Sequence, residues 1–456
     1  MHFTIEAYSD KEVLDIWQEL LKIENVVNIE INAAATPATI RDRLEKLRKQ
    51  QTPHPTKTQV DLEWEESMES LQPRNPKLRN PFDISRPATA KMFFGRSSET
   101  AIMQRELCEG EQGKALILYG PRRSGKSSII KNFLECKVQS PHWGVHFSLQ
   151  NSIQQSEEII LMQMADRICE QFHEQLDKPA PEWNQFNNND PQVRFKRVLQ
   201  SCLGQIQGSR LVLALDEFGG AIDAYENHFL APRFFTFWKE LMGEIPQLSL
   251  IVALPTNAHT ILNSKKFGNA FSFAESLQVM FLDTKSAEQL LIDPLRDQNI
   301  EIYPTTVALA VKLTGGNPYF MTLIGQQLIH HLNEETDKQL ITDEDLRLVV
   351  DHMIEADFSP NFLYLKREVQ KDEELRILEA IVEFTTRSDQ SKVQLKKIAA
   401  YLNLPISVTR KHLQRLRNGL ILQENGPASN PYYSFTIELV RRWLTHNHWF
   451  FSPSTD

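Results

Sequence analysis

The chain has 456 residues, which at about 100–200 residues per domain predicts several domains rather than one core. Apolar residues make up 41% and charged residues 24%, which excludes a largely disordered chain, and no run reaches the roughly 20 apolar residues of a membrane span. A net charge of −9 excludes a generally basic, histone-like binder but not a local basic surface.

Met1–Glu6 lacks a basic segment followed by an apolar stretch, so it does not read as a secretory signal. Cys108, Cys136, Cys169 and Cys202 are widely spaced, which argues against a disulfide framework or a zinc site and suits a cytoplasmic protein. Residues 1–50 read as a small β-α-β-α unit. Phe3, Ile5 and Ala7 alternate as in a strand, and Ser9 with Glu12 forms a capping box. The helix after it carries Val13, Ile16, Trp17, Leu20 and Leu21 on one face, and Val27, Ile29 and Ile31 alternate again. Fifty residues bury little core, so this unit is expected to recruit a protein partner, dock or self-associate. Residues 51–90 hold six prolines and read as a linker.

Residues 91–282 alternate short apolar strands with long amphipathic helices, the pattern of an α/β domain with a parallel sheet. Within it, Ala115–Tyr119 is an apolar strand running into Gly120-Pro121-Arg122-Arg123-Ser124-Gly125-Lys126-Ser127, with Ser128 opening a helix. This is G-x-x-x-x-G-K-S between a strand and a helix, the context in which the motif binds phosphate. Its glycines let successive backbone N–H groups turn into an anion nest at a helix N-terminus. Lys126 is expected to meet the β- and γ-phosphates of ATP, and Ser127 to ligate Mg²⁺.

A second strand, Leu211–Leu215, ends in Asp216-Glu217, which a parallel sheet brings to the same edge as the loop. Asp216 is expected to hold Mg²⁺ and Glu217 to polarise the attacking water. A third strand, Leu248–Leu254, ends in Pro255-Thr256-Asn257. Thr256 or Asn257, with Asn257 the preferred choice, is expected to touch the γ-phosphate or the lytic water, or to cap the next helix.

Two further segments resemble the P-loop ATPases of the STAND and related AAA-type groups: Met92-Phe93-Phe94-Gly95-Arg96, similar to their F-x-G-R box, and Leu313–Phe320, similar to the T-G-G-x-P-Y of their helical lid. The resemblance spans about residues 91–450. It implies a P-loop NTPase sheet over 91–282, a helical lid over 283–365 and a winged-helix domain over 366–450. It also implies Phe94 and Arg96 near the adenine and Pro318 against bound nucleotide. Residue chemistry accounts for the lid segment too, since Gly315-Gly316 can end one helix while Asn317 and Pro318 start another. Many STAND proteins carry an arginine after the third strand where this chain has Thr256-Asn257, which leaves Arg233 and Arg296 as sources of a charge-stabilising arginine. The resemblance implies a slowly hydrolysing ATP/ADP switch that forms a homo-oligomer with nucleotide, or, as the alternative, a DNA-engaged ATPase similar to origin-recognition or transposition regulators.

In the C-terminal segment, Val393–Leu402, a turn at Asn403–Pro405 and Ser407–Asn418 read as the second and third helices of a winged helix, with a wing at Asn425-Gly426. Val408, His412, Leu413 and Leu416 are expected to face the core, and Arg410, Lys411, Gln414 and Arg415 to face outward. From Ser391 to Leu420 there are seven Lys and Arg and no acidic residue, so this surface is expected to bind double-stranded DNA or pack on the ATPase or a protein partner. His330-His331 and the histidines of Thr445–Trp449 lack a carboxylate or cysteine at ligand spacing and read as surface and terminal residues.

Overall fold

Parallel pairing dominates the fold. The computed structural model describes residues 2–5, 28–31 and 77–447, apart from 153, 207, 263–266, 268–269, 335–337, 356–358, 370 and 388–390. It contains two units, Met1–Gln72 and Pro73–Asp456. In the first, β1 (His2–Ile5) and β2 (Asn28–Ile31) pair in parallel, with His2 opposite Asn28. The helices expected in that unit lie outside the described residues.

In the second unit the apolar runs become β3 (Ala115–Gly120), β5 (Leu211–Asp216) and β6 (Leu248–Pro255), and the structure adds β4 (Trp143–Ser148) and β7 (Glu275–Gln278) to the strands read from sequence. They form one parallel sheet in the order β4-β5-β6-β3-β7. Register aligns their C-terminal ends, with Gly120 opposite Pro255 and Ser148 opposite Asp216. Both faces are covered, which is why the strands read as continuous apolar runs. Alternate residues divide between the two layers: Leu211, Leu213 and Leu215 pack on one side, and Val212 and Ala214 on the other.

The second-unit helices begin with α1 (Ser97–Leu107) and α2 (Lys126–Cys136), which share a layer with Leu116 and Leu118. The opposite layer is built from α3 (Glu157–Leu176), α4 (Pro191–Leu203), α5 (Gly219–Glu226), α6 (Arg233–Glu244) and α7 (Thr256–Leu262).

Next come α8 (Thr284–Arg296), α9 (Pro304–Thr314), α10 (Pro318–Glu334) and α11 (Asp343–Glu355), with a short parallel pair, β8 (Glu301–Ile302) and β9 (Leu340–Ile341). A single turn, α12 (Leu365–Glu368), leads to α13 (Asp372–Arg387), β10 (Val393–Gln394), α14 (Leu395–Leu402), α15 (Ile406–Asn418), β11 (Leu422–Asn425), β12 (Tyr432–Phe435) and α16 (Glu438–His446). The last three strands form an antiparallel sheet in the order β10-β12-β11. Trp443 of α16 stacks on Phe362, and one continuous apolar core runs from Leu290 through Phe320 and Ile377 to Trp443.

Residues 78–82, within the stretch read as a linker, are strapped along α10. Phe82 is buried, and Gly325 leaves it room, since a Cβ there would lie 2.6 Å from the ring. Asn80 Nδ2 donates to Gln326 O, and Gln326 Nε2 donates to Phe82 O, both at 3.0 Å.

Two expectations for α15 are corrected. Thr409 is buried and Val408 exposed, because the helix packs through Thr409, His412, Leu413 and Leu416. Arg415 is not a free outward cation: its guanidinium lies 3.0 Å from Glu374, a carboxylate buried on α13, with His412 at 3.4 Å from the same oxygen. Lys411 and Gln414 are exposed, and Arg410 is half-buried with a hydrogen bond to Ala428 O. No helix among the described residues is long and apolar enough to cross a membrane.

Candidate functional site

The loop between β3 and α2 is built by backbone constraints before any side chain acts. Gly125 has φ +95°, and Gly120 passes so close to β7's continuation that a Cβ would meet Val279 O at 2.2 Å. Lys126, 8% exposed, folds its ammonium back on the loop and donates to Gly120 O (3.0 Å) and Pro121 O (2.8 Å). Burial lowers its pKa, against the raising influence of Glu217, Asp216 and Glu368.

Asp216 ends β5 at 3% exposure. Its Oδ1 accepts from the Glu217 N–H at 2.9 Å. His146 on the neighbouring strand β4 brings Nε2 to 3.1 Å from Oδ2. Burial pushes the Asp216 carboxyl up, but His146 and the Ser127 hydroxyl outweigh it and hold the pKa below its ordinary value. Glu217 follows with φ +50°, a left-handed conformation uncommon outside glycine. The Glu217 side chain is 36% exposed and lies 3.9 Å from Arg122 Nη1.

The helical half of the unit reaches into this site. Arg122 Nε lies 3.3 Å from Glu368 on α12, a carboxylate 5% exposed. Burial raises the Glu368 pKa, opposed by the charges of Arg122 and Lys126. Arg123, at φ +63°, turns the other way: its guanidinium stacks 3.9 Å over Tyr319 and 5.0 Å from the Tyr364 ring centroid, and donates to Asn361 O. Tyr319 hydrogen-bonds in turn to Asn361 Oδ1.

Arg96 is buried; it donates to Ser124 O and Met280 O, each at 2.8 Å, and pairs with Glu99. It thus holds the loop from behind. Phe94 packs against the helical core. Pro318 starts α10 under an Asn317 cap, with Asn317 Oδ1 accepting from the Tyr319 and Phe320 N–H groups, and its ring would lie 3.7 Å from a Cβ on Gly125. Gly315 and Gly316 take φ +59° and +74°, and a Cβ would meet Thr436 O and Leu282 O, so both are close-approach positions. Ser128 Oγ accepts from the Ala88 N–H. Thr256 Oγ1 is buried and makes no hydrogen bond, and Ser124 Oγ likewise. The Asn257 side chain lies outside the described structure. Arg233 is taken by Glu157 at 3.1 Å and Asp190 at 3.4 Å, and Arg296 is exposed at the end of α8. Lys411 and Gln414 sit on α15, apart from these groups in the sequence of elements. His146 and Glu368 were not singled out from sequence: each is a lone titratable residue whose partner is set by strand order or long-range packing.

The family described as an ATPase domain predominantly from Archaea matches residues 93–324, the span from the F-x-G-R segment into α10. No curated protein matches the chain. Among solved structures, the Walker-type ATPase PABY2304 of Pyrococcus abyssi is similar at 16% identity and TM-score 0.57, over 80% of this chain and 99% of that one. The Aeropyrum pernix ORC2 protein, in ADPNP–ADP complexes, is similar at 13% identity and TM-score 0.55, over 81% of this chain and 98% of that one. At these identities the similarity shows the fold, that of P-loop ATPases.

Proposed function

Since the chain belongs to the family of ATPase domains predominantly from Archaea, we propose that it is a nucleotide-operated switch of the cytoplasm, hydrolysing ATP slowly at the loop Gly120–Ser127. The observation that carries this reading is the convergence of Lys126, Ser127, Asp216 and Glu217 at one sheet edge, where β3 runs into the loop two strands from the end of β5. The backbone amides of the loop and Lys126 bind the phosphates. Ser127 and Asp216 form an all-oxygen donor pair, which fits a hard divalent cation. They would hold Mg²⁺, which when bound would supply positive charge to offset that of the phosphates. Asp216 keeps its carboxylate ionised through His146 and Ser127. Glu217, exposed enough to meet water, accepts the proton of the attacking molecule. Thr256, with its unpaired buried hydroxyl at the end of β6, or Asn257 beside it, serves the terminal phosphate or that water.

The switch part of the reading rests on contacts between halves. Arg123 is held by Tyr319, Tyr364 and Asn361, and Pro318 abuts Gly125, so nucleotide at the loop biases the helical lid and, through their shared core, the C-terminal unit. ATP-dependent homo-oligomerisation, and recruitment of a protein partner through the N-terminal unit, complete the proposal. The test is a pair of variants: Lys126→Ala is expected to lose most ATP affinity by calorimetry, and Glu217→Gln to keep it while losing hydrolysis. Unchanged affinity in Lys126→Ala would sink the assignment.

The second reading is a DNA-engaged ATPase. We read α13 to α16 with the β10-β12-β11 sheet as a winged helix, and the exposed Lys411 and Gln414 on α15 favour a groove-facing role. Arg410 can join them; Arg415 belongs to the fold.

A further inference from the structure

We infer that Arg122 is the charge-stabilising arginine of the hydrolysis, supplied by the phosphate loop itself, and that Glu368 is its positioning residue, holding it in reserve from the helical half. The inference rests on the reading of Glu217 and Lys126 given above. Phosphoryl transfer spreads negative charge over the moving group, and a guanidinium beside it stabilises that charge. Arginines near the loop are otherwise committed. Arg96 is spent on Ser124 O, Met280 O and Glu99, Arg123 is stacked on Tyr319, and Arg233 is held by Glu157 and Asp190. Arg122 instead starts within the phosphate-wrapping loop and turns to the side where Glu217 would direct water, 3.9 Å from its carboxylate.

The closer partner of Arg122 is Glu368, at 3.3 Å. That carboxylate is almost fully buried, on the turn between the α8–α11 helices and the C-terminal helices, and Arg122 is its ion-pair partner. It supplies to Arg122 the negative charge that a terminal phosphate would otherwise supply. In this arrangement Arg122 must leave Glu368 to meet the phosphoryl group. The strength of the Glu368 clasp therefore sets the turnover rate, and a shift of α12 with the C-terminal unit changes it.

The experiment uses the full chain: single-turnover ATP hydrolysis, ATP and ADP affinity, and affinity for ADP with aluminium fluoride as a mimic of the moving phosphoryl group. Arg122→Ala is expected to slow hydrolysis about 10³-fold, with ATP and ADP affinity changed by less than about threefold, and to lose the preference for the aluminium fluoride complex over ADP. Arg122→Lys should recover part of the rate, because an ammonium keeps the charge without the planar fork. Glu368→Gln should raise the rate about tenfold, the effect of weakening one charge-assisted contact. ADP affinity near that of the parent reports an intact fold in each variant. Parent-like hydrolysis and parent-like preference for the mimic in Arg122→Ala overturn the inference. So does an unaltered or slower rate in Glu368→Gln. Glu217→Gln separates the two levels: if it is inactive while Arg122→Ala is unimpaired, the arginine inference alone fails, whereas hydrolysis by Glu217→Gln at the parent rate removes the reading beneath it.

Discussion

Lys126 and Lys411 carry the same charge in opposite surroundings. The first is buried and satisfied by two loop carbonyls; the second lies in water on α15. The loop and the acidic pair were legible because their chemistry needs residues at fixed spacing, so sequence alone carried Lys126, Ser127, Asp216 and Glu217. His146 was not legible, since its tie to Asp216 depends on β4 lying beside β5. Arg415 was misread for a related reason: helical spacing gives its face, while the carboxylate that claims it, Glu374, sits on another helix. His146 acts through Asp216, so His146→Ala is expected to weaken Mg²⁺-dependent ATP binding about tenfold, as loss of a partner behind a metal ligand does. Titrating Mg²⁺ against bound nucleotide measures this. An unchanged Mg²⁺ requirement would show that Asp216 needs no support from β4.

At the level of elements, strands were easier to read than the contacts between helices. Apolar runs bounded by glycine, proline and acidic residues located β3, β5 and β6, whereas β7, with three of its four residues exposed, has no such signature. Gly315-Gly316 was read as a helix end, which it is. Nothing in the residue pattern showed that the same pair lets the end of α9 approach Thr436 after β12 and Leu282 before α8. A Cβ on Gly315 would lie 2.3 Å from Thr436 O, at φ +59°. Gly315→Ala is therefore expected to cost about 2–3 kcal/mol, combining left-handed strain with a displaced contact. Thermal unfolding should show a lower Tm for Gly315→Ala, with a smaller change for Gly243→Ala, where nothing lies within 4 Å. Equal stability of both variants would mean that α9 and the β11-β12 hairpin do not depend on this approach.

For the whole molecule, the described second unit puts ATP chemistry and a basic surface in one chain, and the basic run shrinks on inspection. Arg415 is paired with Glu374 and Arg417 with Glu424, so fewer cations are free than the sequence count implies. Lys411→Ala with Gln414→Ala tests the DNA-engaged reading without disturbing the fold. If duplex DNA is a partner, parent affinity should fall steeply with salt, and the double variant should bind more weakly with a salt slope reduced by about one. Fluorescence anisotropy across a salt series reads both. Parent affinity that is weak and insensitive to these changes would leave the nucleotide switch as the sole reading.

On the proposed reading, ATP is bound by the loop and cleaved with Glu217 as base. Labelled ATP with Mg²⁺ is mixed with the parent and with Glu217→Gln, unbound nucleotide is removed, and the retained nucleotide is identified after one turnover time of the parent. The parent is expected to hold ADP and the variant intact ATP, because an amide cannot accept the proton of the attacking water. ADP appearing on both at the same rate would contradict the account.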